Sequence, residues 1–366
     1  MRLETWRYFD YWLIGAVAIL IIFSIAMIDS AIAKNPELIE NNTVGRQILF
    51  AGIGFVLIIL ITLFDYHLWA PIGRVMYVLI AIFLGLVAFG GETAFGSSRW
   101  LDVGFAIVQP SELAKITIIV VMADFFARNQ EKISQLSWII RSAILTMGLV
   151  GLVIIQPDLS TSITLLVIWG ALLFASGLKT RYIVIGIILM VILLVLGYLF
   201  FFQDYQKQRI NNFFFTNPDA RFGEEYNVTQ ALITIGSGGW LGQGYGQGSQ
   251  VQLRFLKVRH SDFIYASIAN ELGFVGAVAI MGFLFFVIYR ILRTALVARD
   301  NYGALICYGV ATFIAFQTIV NIGMNLKLLP VTGLPLPLIS QGGSSLLSVL
   351  LGIGLVESVA ARQKLS

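Results

Sequence analysis

Long uninterrupted apolar stretches recur along the whole chain, and Leu189–Phe202 is a representative one. A transmembrane β-barrel would instead alternate apolar and polar residues in segments of about ten residues. Continuous apolar runs fit helices that cross a bilayer, each of which needs about 20 such residues. The sequence therefore predicts an all-α, polytopic membrane protein.

Composition excludes several other classes of protein. Apolar residues make up 58% of the 366 residues and charged residues only 12%, against about 25% charged in ordinary globular domains. The single cysteine, Cys307, rules out a disulfide framework, and the two histidines, His67 and His260, are too far apart in sequence to suggest a zinc site. The net charge of +4 comes with no basic stripe interleaved with aromatic residues, so we expect no nucleic-acid partner.

The apolar runs predict ten transmembrane helices in a single domain that covers residues 1–366. The first run is too long for the apolar core of a signal peptide, so we expect an uncleaved anchor. No internal repeat is visible. The predicted helices span residues 11–31, 45–64, 72–89, 110–127, 138–155, 160–177, 182–202, 263–289, 302–325 and 341–360.

The distribution of Lys and Arg predicts the orientation, because cytoplasmic loops carry an excess of both. With the N-terminus inside, thirteen fall on the cytoplasmic side: Arg2, Arg7, Arg74, Arg128, Lys132, Arg141, Lys179, Arg181, Arg290, Arg293, Arg299, Arg362 and Lys364. The short outer loops hold four: Lys34, Arg46, Arg99 and Lys327. Both termini are therefore predicted to be cytoplasmic, and the long connection 203–262 to be extracytoplasmic. A connection of that length is usually functional.

Charged residues near the predicted helix ends are the first candidates for a site, because they are costly at membrane depth. Glu112 and Lys115 lie three residues apart on one helix face, where they form either a structural ion pair or a grip on a charged group. Arg99 is either an interfacial anchor or a site residue. Asp158 either begins the next helix as a favourable acid or faces the outer cavity.

The long connection carries two polar segments of its own. Arg209 lies in a cationic segment that precedes a block of Phe, which suits a position at the lipid headgroups. The glycines of 235–248 do not spell a dinucleotide-binding fingerprint. They indicate either a flexible loop or a close approach of backbone amides to a ligand.

Asp262 stands where the chain re-enters the membrane. It is either an N-cap of the eighth helix or a general base, and we expect His260 to be a hydrogen-bonding neighbour. Three prolines fall within 329–345, so this stretch cannot be a plain helix. Irregular backbone near a bilayer must face protein or a wet cavity, so we expect it to line the same cavity as the long connection.

Taken together and in order, these motifs resemble the SEDS family (shape, elongation, division and sporulation). The resemblance covers essentially the whole chain, and the variant at 331–337 is similar to the RodA branch. The motifs are Ser98-Arg99-Trp100-Leu101, Gln109-Pro110-Ser111-Glu112-Leu113-Ala114-Lys115, Gln156-Pro157-Asp158-Leu159, Ile235-Gly236-Ser237-Gly238-Gly239, His260-Ser261-Asp262-Phe263-Ile264, Pro335-Leu336-Pro337 and Ser340-Gln341-Gly342-Gly343-Ser344-Ser345.

The resemblance implies a peptidoglycan glycosyltransferase of the bacterial inner membrane, acting on the extracytoplasmic side in cell elongation. It implies lipid II as substrate, β-1,4 glycan as product, and undecaprenyl pyrophosphate as leaving group. It also implies a class B penicillin-binding protein and elongation-complex membrane proteins as partners. Asp262 falls on the family's catalytic aspartate. The residues expected to bind substrate are Arg99, Glu112, Lys115, Asp158, Arg209, His260, Ser261, Ser344 and Ser345.

No cofactor is certain from the sequence. The resemblance permits a divalent cation, Mg²⁺ or Mn²⁺, but no metal-ligand spacing is visible. Two other functions remain open. A lipid flippase would concentrate its ionisable residues near the midplane of the bilayer, whereas a scaffold for the crosslinking partner would not depend on Asp262.

Overall fold

The computed structural model is an all-α protein with one small pair of strands. It describes residues 8–33, 35–90, 101–102, 107–132, 135–200, 204–215, 223–256 and 258–363. The strands β1 (Leu101–Asp102) and β2 (Ile107–Val108) pair antiparallel just before the fifth helix.

Every predicted helical segment overlaps a helix in the structure. The helices are α1 (Tyr11–Ile32), α2 (Pro36–Glu40), α3 (Thr43–Leu63), α4 (Trp69–Gly90), α5 (Pro110–Arg128), α6 (Leu136–Ile155), α7 (Leu159–Ala175), α8 (Thr180–Phe200), α9 (Asp204–Phe214), α10 (Gly223–Ser237), α11 (Ser249–Gln252), α12 (Ile264–Val297), α13 (Asn301–Asn325) and α14 (Gly343–Ala360). In the described part of the chain, seven of them (α1, α3, α4, α6, α12, α13 and α14) are long and apolar enough to cross a membrane.

Two helices form the centre of the bundle. Among the seven apolar helices, α14 and α13 are the most enclosed, with 72% and 61% of their most apolar windows buried. Helix α14 packs along α3, and α13 contacts α12, α5 and α7. The polar residues that these two helices carry are therefore held away from lipid, which is where a membrane protein can keep a polar site.

The connection 203–262 is more helical than the sequence suggested. It contains α9, α10 and α11, and α10 packs against α12. These helices are not apolar along their length, so hydropathy did not reveal them. Between α10 and α11 lies a stretch that we call the glycine segment, Gly238–Gly248.

The glycine segment completes a break in α12. Gly273 has φ 69° and ψ −168°, so the helix is interrupted there. The carbonyls of Asn270 and Glu271 accept hydrogen bonds from the N–H groups of Gln243 (3.0 Å) and Gly244 (2.9 Å), respectively. Past the break, the N–H groups of Phe274 and Val275 donate to Gly239 and Trp240 (2.8 and 3.1 Å). The segment thus satisfies backbone groups that the break leaves without helical partners.

Gly242→Ala should destabilise the protein, because residue 242 has φ +81° and a Cβ there would overlap the carbonyl of Glu271. We expect a loss of at least about 1–3 kcal/mol in the free energy of unfolding from the backbone strain alone. Gly236→Ala is the matched control, since a Cβ at Gly236 meets nothing within 4 Å. Thermal unfolding in detergent checks both, and equal midpoints for the two variants would show that the close approach is not needed.

Candidate functional site

Two segments that are distant in sequence meet beside the start of α12. We call residues 258–263 the re-entry turn and residues 330–342 the proline segment. The Ser340 hydroxyl donates to the Ser261 carbonyl (2.6 Å), and the Gln341 N–H donates to the His260 carbonyl (3.0 Å). The proline segment has no regular secondary structure through Pro335 and Pro337, as its prolines predicted.

Asp262 lies at the point where these segments meet. Its side chain is half-buried, and a Cβ built on Gly333 would lie 3.9 Å from Asp262 Oδ2. The N-cap position of α12 belongs to Phe263, whose side chain makes no capping hydrogen bond. The Asp262 carbonyl accepts hydrogen bonds from the side-chain amides of Asn321 (3.1 Å) and Asn325 (3.0 Å). Two side chains of α13 therefore hold the backbone of the residue that carries this carboxylate.

Asp158 stands at the start of a helix, as one interpretation of the sequence predicted, and it is the N-cap of α7. It is buried, and it accepts from the Thr161 N–H (3.2 Å) and the Thr161 hydroxyl (2.8 Å) at the start of α7. Gln109 Nε2 and the Ser111 hydroxyl also approach its Oδ2, at 3.3 and 3.5 Å. These bonds join the start of α7 to the start of α5, and a role for Asp158 in substrate binding stays a prediction.

The start of α7 also reaches the proline segment. The Ser160 hydroxyl donates to the Thr332 carbonyl at 2.6 Å. Thr332 precedes Gly333, the neighbour of the Asp262 carboxylate. Three sequence motifs, at 158–160, 260–262 and 332–341, are therefore hydrogen-bonded into one arrangement.

Glu112 and Lys115 form the ion pair that their spacing predicted. Lys115 Nζ lies 2.7 Å from Glu112 Oε2, and the two side chains are 0% and 5% exposed. The ammonium satisfies the distance for an ion pair but makes no well-directed hydrogen bond to a described residue, and it lies 4.8 Å from the centre of the Phe313 ring. Its contact with a ligand would require this packing to open, so a role for Lys115 on substrate stays a prediction.

Serines of α14 connect this ion pair to the rest of the site. The Ser348 hydroxyl lies 3.2 Å from Glu112 Oε2 and 2.9 Å from the Ser345 carbonyl. The Ser344 hydroxyl accepts from the Gln109 N–H (3.1 Å). Helix α14 thus links the start of α5 to the end of the proline segment.

The remaining candidates are not placed by the structure. Arg99 lies outside the described residues. Arg209 lies in α9, and its side chain is outside the described part. Conversely, sequence reasoning missed Asn321, Asn325 and Ser348. An available signal was the spacing of four between the two asparagines of α13, which places both on one face of an apolar helix.

Among the described residues, no group of three or more His, Cys, Asp and Glu side chains could hold a metal ion. The divalent cation therefore remains a prediction from the resemblance, with no ligand set to support it in this part of the chain.

His260 should make the protein less stable in mild acid. Burial, followed by the charge of Arg259, lowers the pKa of His260 from 6.5 to about 4. Between these values the unfolded chain binds a proton that the folded chain does not, so the free energy of unfolding falls as the pH falls through this window. His260→Gln cannot titrate, and thermal midpoints at about pH 7 and about pH 5 should show a smaller acid loss than in the wild type. An identical acid loss in both proteins would contradict the assignment.

A family model and the sequences of known proteins both match this chain over most of its length. The family model for FtsW, RodA and SpoVE, described as cell cycle protein, matches residues 9–365. Peptidoglycan glycosyltransferase MrdB of Escherichia coli K12 is 35% identical over 349 residues, covering 94% of this chain and 92% of the relative. The probable peptidoglycan glycosyltransferase FtsW of Trichlorobacter lovleyi is 35% identical over 326 residues, covering 88% and 84%.

Solved structures share the fold. A chain from work described as structural coordination of polymerization and crosslinking by a peptidoglycan synthase complex superposes with a TM-score of 0.82 at 28% identity, covering 96% of this chain and 97% of that one. The rod shape determining protein RodA of Thermus thermophilus superposes with a TM-score of 0.73 at 28% identity, covering 98% of each chain.

Proposed function

We propose a mechanism for this chain, which belongs to the FtsW, RodA and SpoVE family and is a peptidoglycan glycosyltransferase of the membrane. Its donor and acceptor are lipid II, or the growing glycan carried on the same lipid. Its product is a β-1,4-linked glycan for elongation of the cell wall. The half-buried Asp262 carboxylate, where three segments of this chain are hydrogen-bonded together, is the observation that carries the proposal.

In the proposed step, Asp262 acts as the general base. The carboxylate takes the proton of the acceptor sugar's 4-hydroxyl as that oxygen forms a bond to C1 of the donor sugar. The bond from C1 to the pyrophosphate oxygen breaks, and undecaprenyl pyrophosphate leaves with the electron pair. A positioned base contributes about 10²–10⁴-fold to such a step. Unlike a glycosidase, this reaction needs no second carboxylic acid, because pyrophosphate leaves as an anion.

The leaving group calls for positive charge, since two phosphates develop charge as the bond breaks. Arg209 of α9 and Lys115 are our candidates for this role, with Glu112 orienting Lys115. Arg99, His260, Ser261, Ser344 and Ser345 complete the proposed substrate-binding set, with Asp158 shaping the cavity wall. A divalent cation, Mg²⁺ or Mn²⁺, would supply further charge at the pyrophosphate.

The proposed topology has ten spans, with both termini in the cytoplasm and 203–262 outside. The excess of Lys and Arg on one side supports it. The positions of the helices are compatible with it, because every proposed span overlaps a helix. In this orientation the re-entry turn and Asp262 face the extracytoplasmic side, where the glycan is needed.

A class B penicillin-binding protein is the proposed partner, with other elongation-complex membrane proteins around the pair. Support comes from the similar chain that belongs to a peptidoglycan synthase complex coordinating polymerization and crosslinking. A crosslinking enzyme is the partner that a glycan polymerase requires, because uncrosslinked strands do not form a wall.

Polymer formation by the purified protein tests the reaction. We expect detergent-solubilised protein, supplied with lipid II and its crosslinking partner, to produce glycan chains that a muramidase digests. A flippase would give no polymer, since detergent contains no compartments between which lipid could move. A scaffold would give none either, so the absence of polymer from a folded, partner-bound sample would refute the proposed function.

A further inference from the structure

The first turn of α12 has an unusual hydrogen-bond partner on α13. In a regular helix the Ala266 N–H would donate to the Asp262 carbonyl, four residues earlier. Here the Ala266 N–H donates to Asn325 Oδ1 (3.2 Å), while Asn325 Nδ2 donates to the Asp262 carbonyl (3.0 Å). One carboxamide therefore bridges the two backbone groups that a helix would pair directly.

Helical pairing resumes one residue later. The Ser267 N–H donates to the Phe263 carbonyl at 3.2 Å, and α12 begins at Ile264. The Asn325 bridge thus coincides with the boundary that keeps Asp262 out of the helix. Without the bridge, the Ala266 N–H could pair with the Asp262 carbonyl, which would extend α12 backward by one residue and make Asp262 its N-cap.

Asn321 strengthens the same arrangement from one turn earlier on α13. Its Nδ2 donates to the Asp262 carbonyl (3.1 Å) and to the Leu334 carbonyl (2.8 Å). Asn325 Nδ2 donates in turn to the Asn321 carbonyl (2.9 Å). Both asparagines are 0% exposed, so water does not compete for these bonds. The two amides join the re-entry turn and the proline segment to a single face of α13.

We infer that Asn325, supported by Asn321, is a positioning residue that keeps Asp262 out of the N-cap position of α12 and so aims its carboxylate. This inference rests on the proposed function, because the orientation of the Asp262 carboxylate matters for catalysis only if Asp262 is the general base. The asparagines act through the backbone and do not need to touch substrate.

Asn325→Leu is the direct test, because leucine has a similar size and cannot bridge the two backbone groups. We expect kcat for lipid II polymerisation to fall about 10²-fold, as for a misplaced catalytic group, with KM unchanged. Gln317→Leu is the matched control. Gln317 lies two turns earlier on α13, is 0% exposed, and has no hydrogen-bond partner for either amide atom among the described residues. We expect this control to keep wild-type kcat.

A second readout does not require catalysis. Cys307 is the single cysteine of the chain and is buried, so D262C introduces one accessible thiol at the position of interest. We expect N325L to change the alkylation rate of D262C by roughly fivefold, because the rate follows the exposure and surroundings of the thiol. Q317L should leave that rate unchanged. If N325L does not fold, N325S replaces it, since serine is too short to bridge both groups.

The outcomes distinguish the positioning role of Asn325 from the base role of Asp262. Equal alkylation rates in the N325L and Q317L backgrounds would overturn the positioning role, as would a wild-type kcat in N325L. Full activity of D262N would refute the base role instead. In that case a changed alkylation rate would still support the effect of Asn325 on the orientation of residue 262.

Discussion

Lys115→Met should lower the free energy of unfolding by about 3–5 kcal/mol, because it leaves a buried carboxylate without its counter-charge. The Glu112 side chain is 5% exposed and lies 2.7 Å from the ammonium that this substitution removes. The Ser348 hydroxyl, which lies 3.2 Å from Glu112 Oε2, cannot neutralise the charge. Replacing both partners leaves no unpaired buried charge, so the double variant Glu112→Gln, Lys115→Met should recover most of the lost free energy of unfolding.

A double-mutant cycle in detergent measures this coupling, with an ion pair whose cation is exposed as its control. Arg128 lies 2.5 Å from Asp124 on the same helix, and its side chain is 58% exposed. Asp124 is 14% exposed but keeps a second cation, Arg74, at 3.4 Å, so Arg128→Met should cost no more than about 1 kcal/mol. If K115M and R128M lost equal amounts of free energy of unfolding, that result would contradict a buried Glu112–Lys115 pair. A stable double variant that polymerises lipid II at the wild-type rate would confine the pair to a structural role.

The bundle was predictable because its signal is local. Each long apolar run is itself a helix, so hydropathy located α1 and α13 to within one residue at either end. The same holds for the Glu112–Lys115 pair, since helical geometry alone brings residues three apart together. The start of α5 at Pro110 follows from the missing N–H of proline.

The features that position the site depend on contacts between distant segments. Gly273 has the appearance of an ordinary glycine in an apolar helix, and only its pairing with the glycine segment explains the break in α12. The sequence suggested flexibility or ligand binding for that segment, whereas its glycines allow the backbone of α12 to approach. The bridge from Asn325 to Asp262 joins residues 63 positions apart, so no local pattern could reveal it.

Asp262→Asn should reduce polymerisation by about 10²–10⁴-fold, the contribution of a positioned base. Asparagine has nearly the same shape as aspartate but cannot accept the proton of the acceptor hydroxyl. The bonds from Asn321 and Asn325 reach the main-chain carbonyl of residue 262, so the substitution leaves them intact. We therefore expect normal folding, normal binding of lipid II and normal association with the crosslinking partner.

Asp124→Asn provides the matched control, because it makes the same chemical change on α5, in a carboxylate paired with Arg128 near the opposite end of that helix from Glu112. The decisive measurement is the rate of glycan formation from lipid II by purified wild type, D262N and D124N, each reconstituted with the partner. If Asp262 is the general base, D124N should retain full activity and D262N should form glycan about 10²–10⁴-fold more slowly than the wild type. Glycan formation by D262N at the wild-type rate would contradict that role.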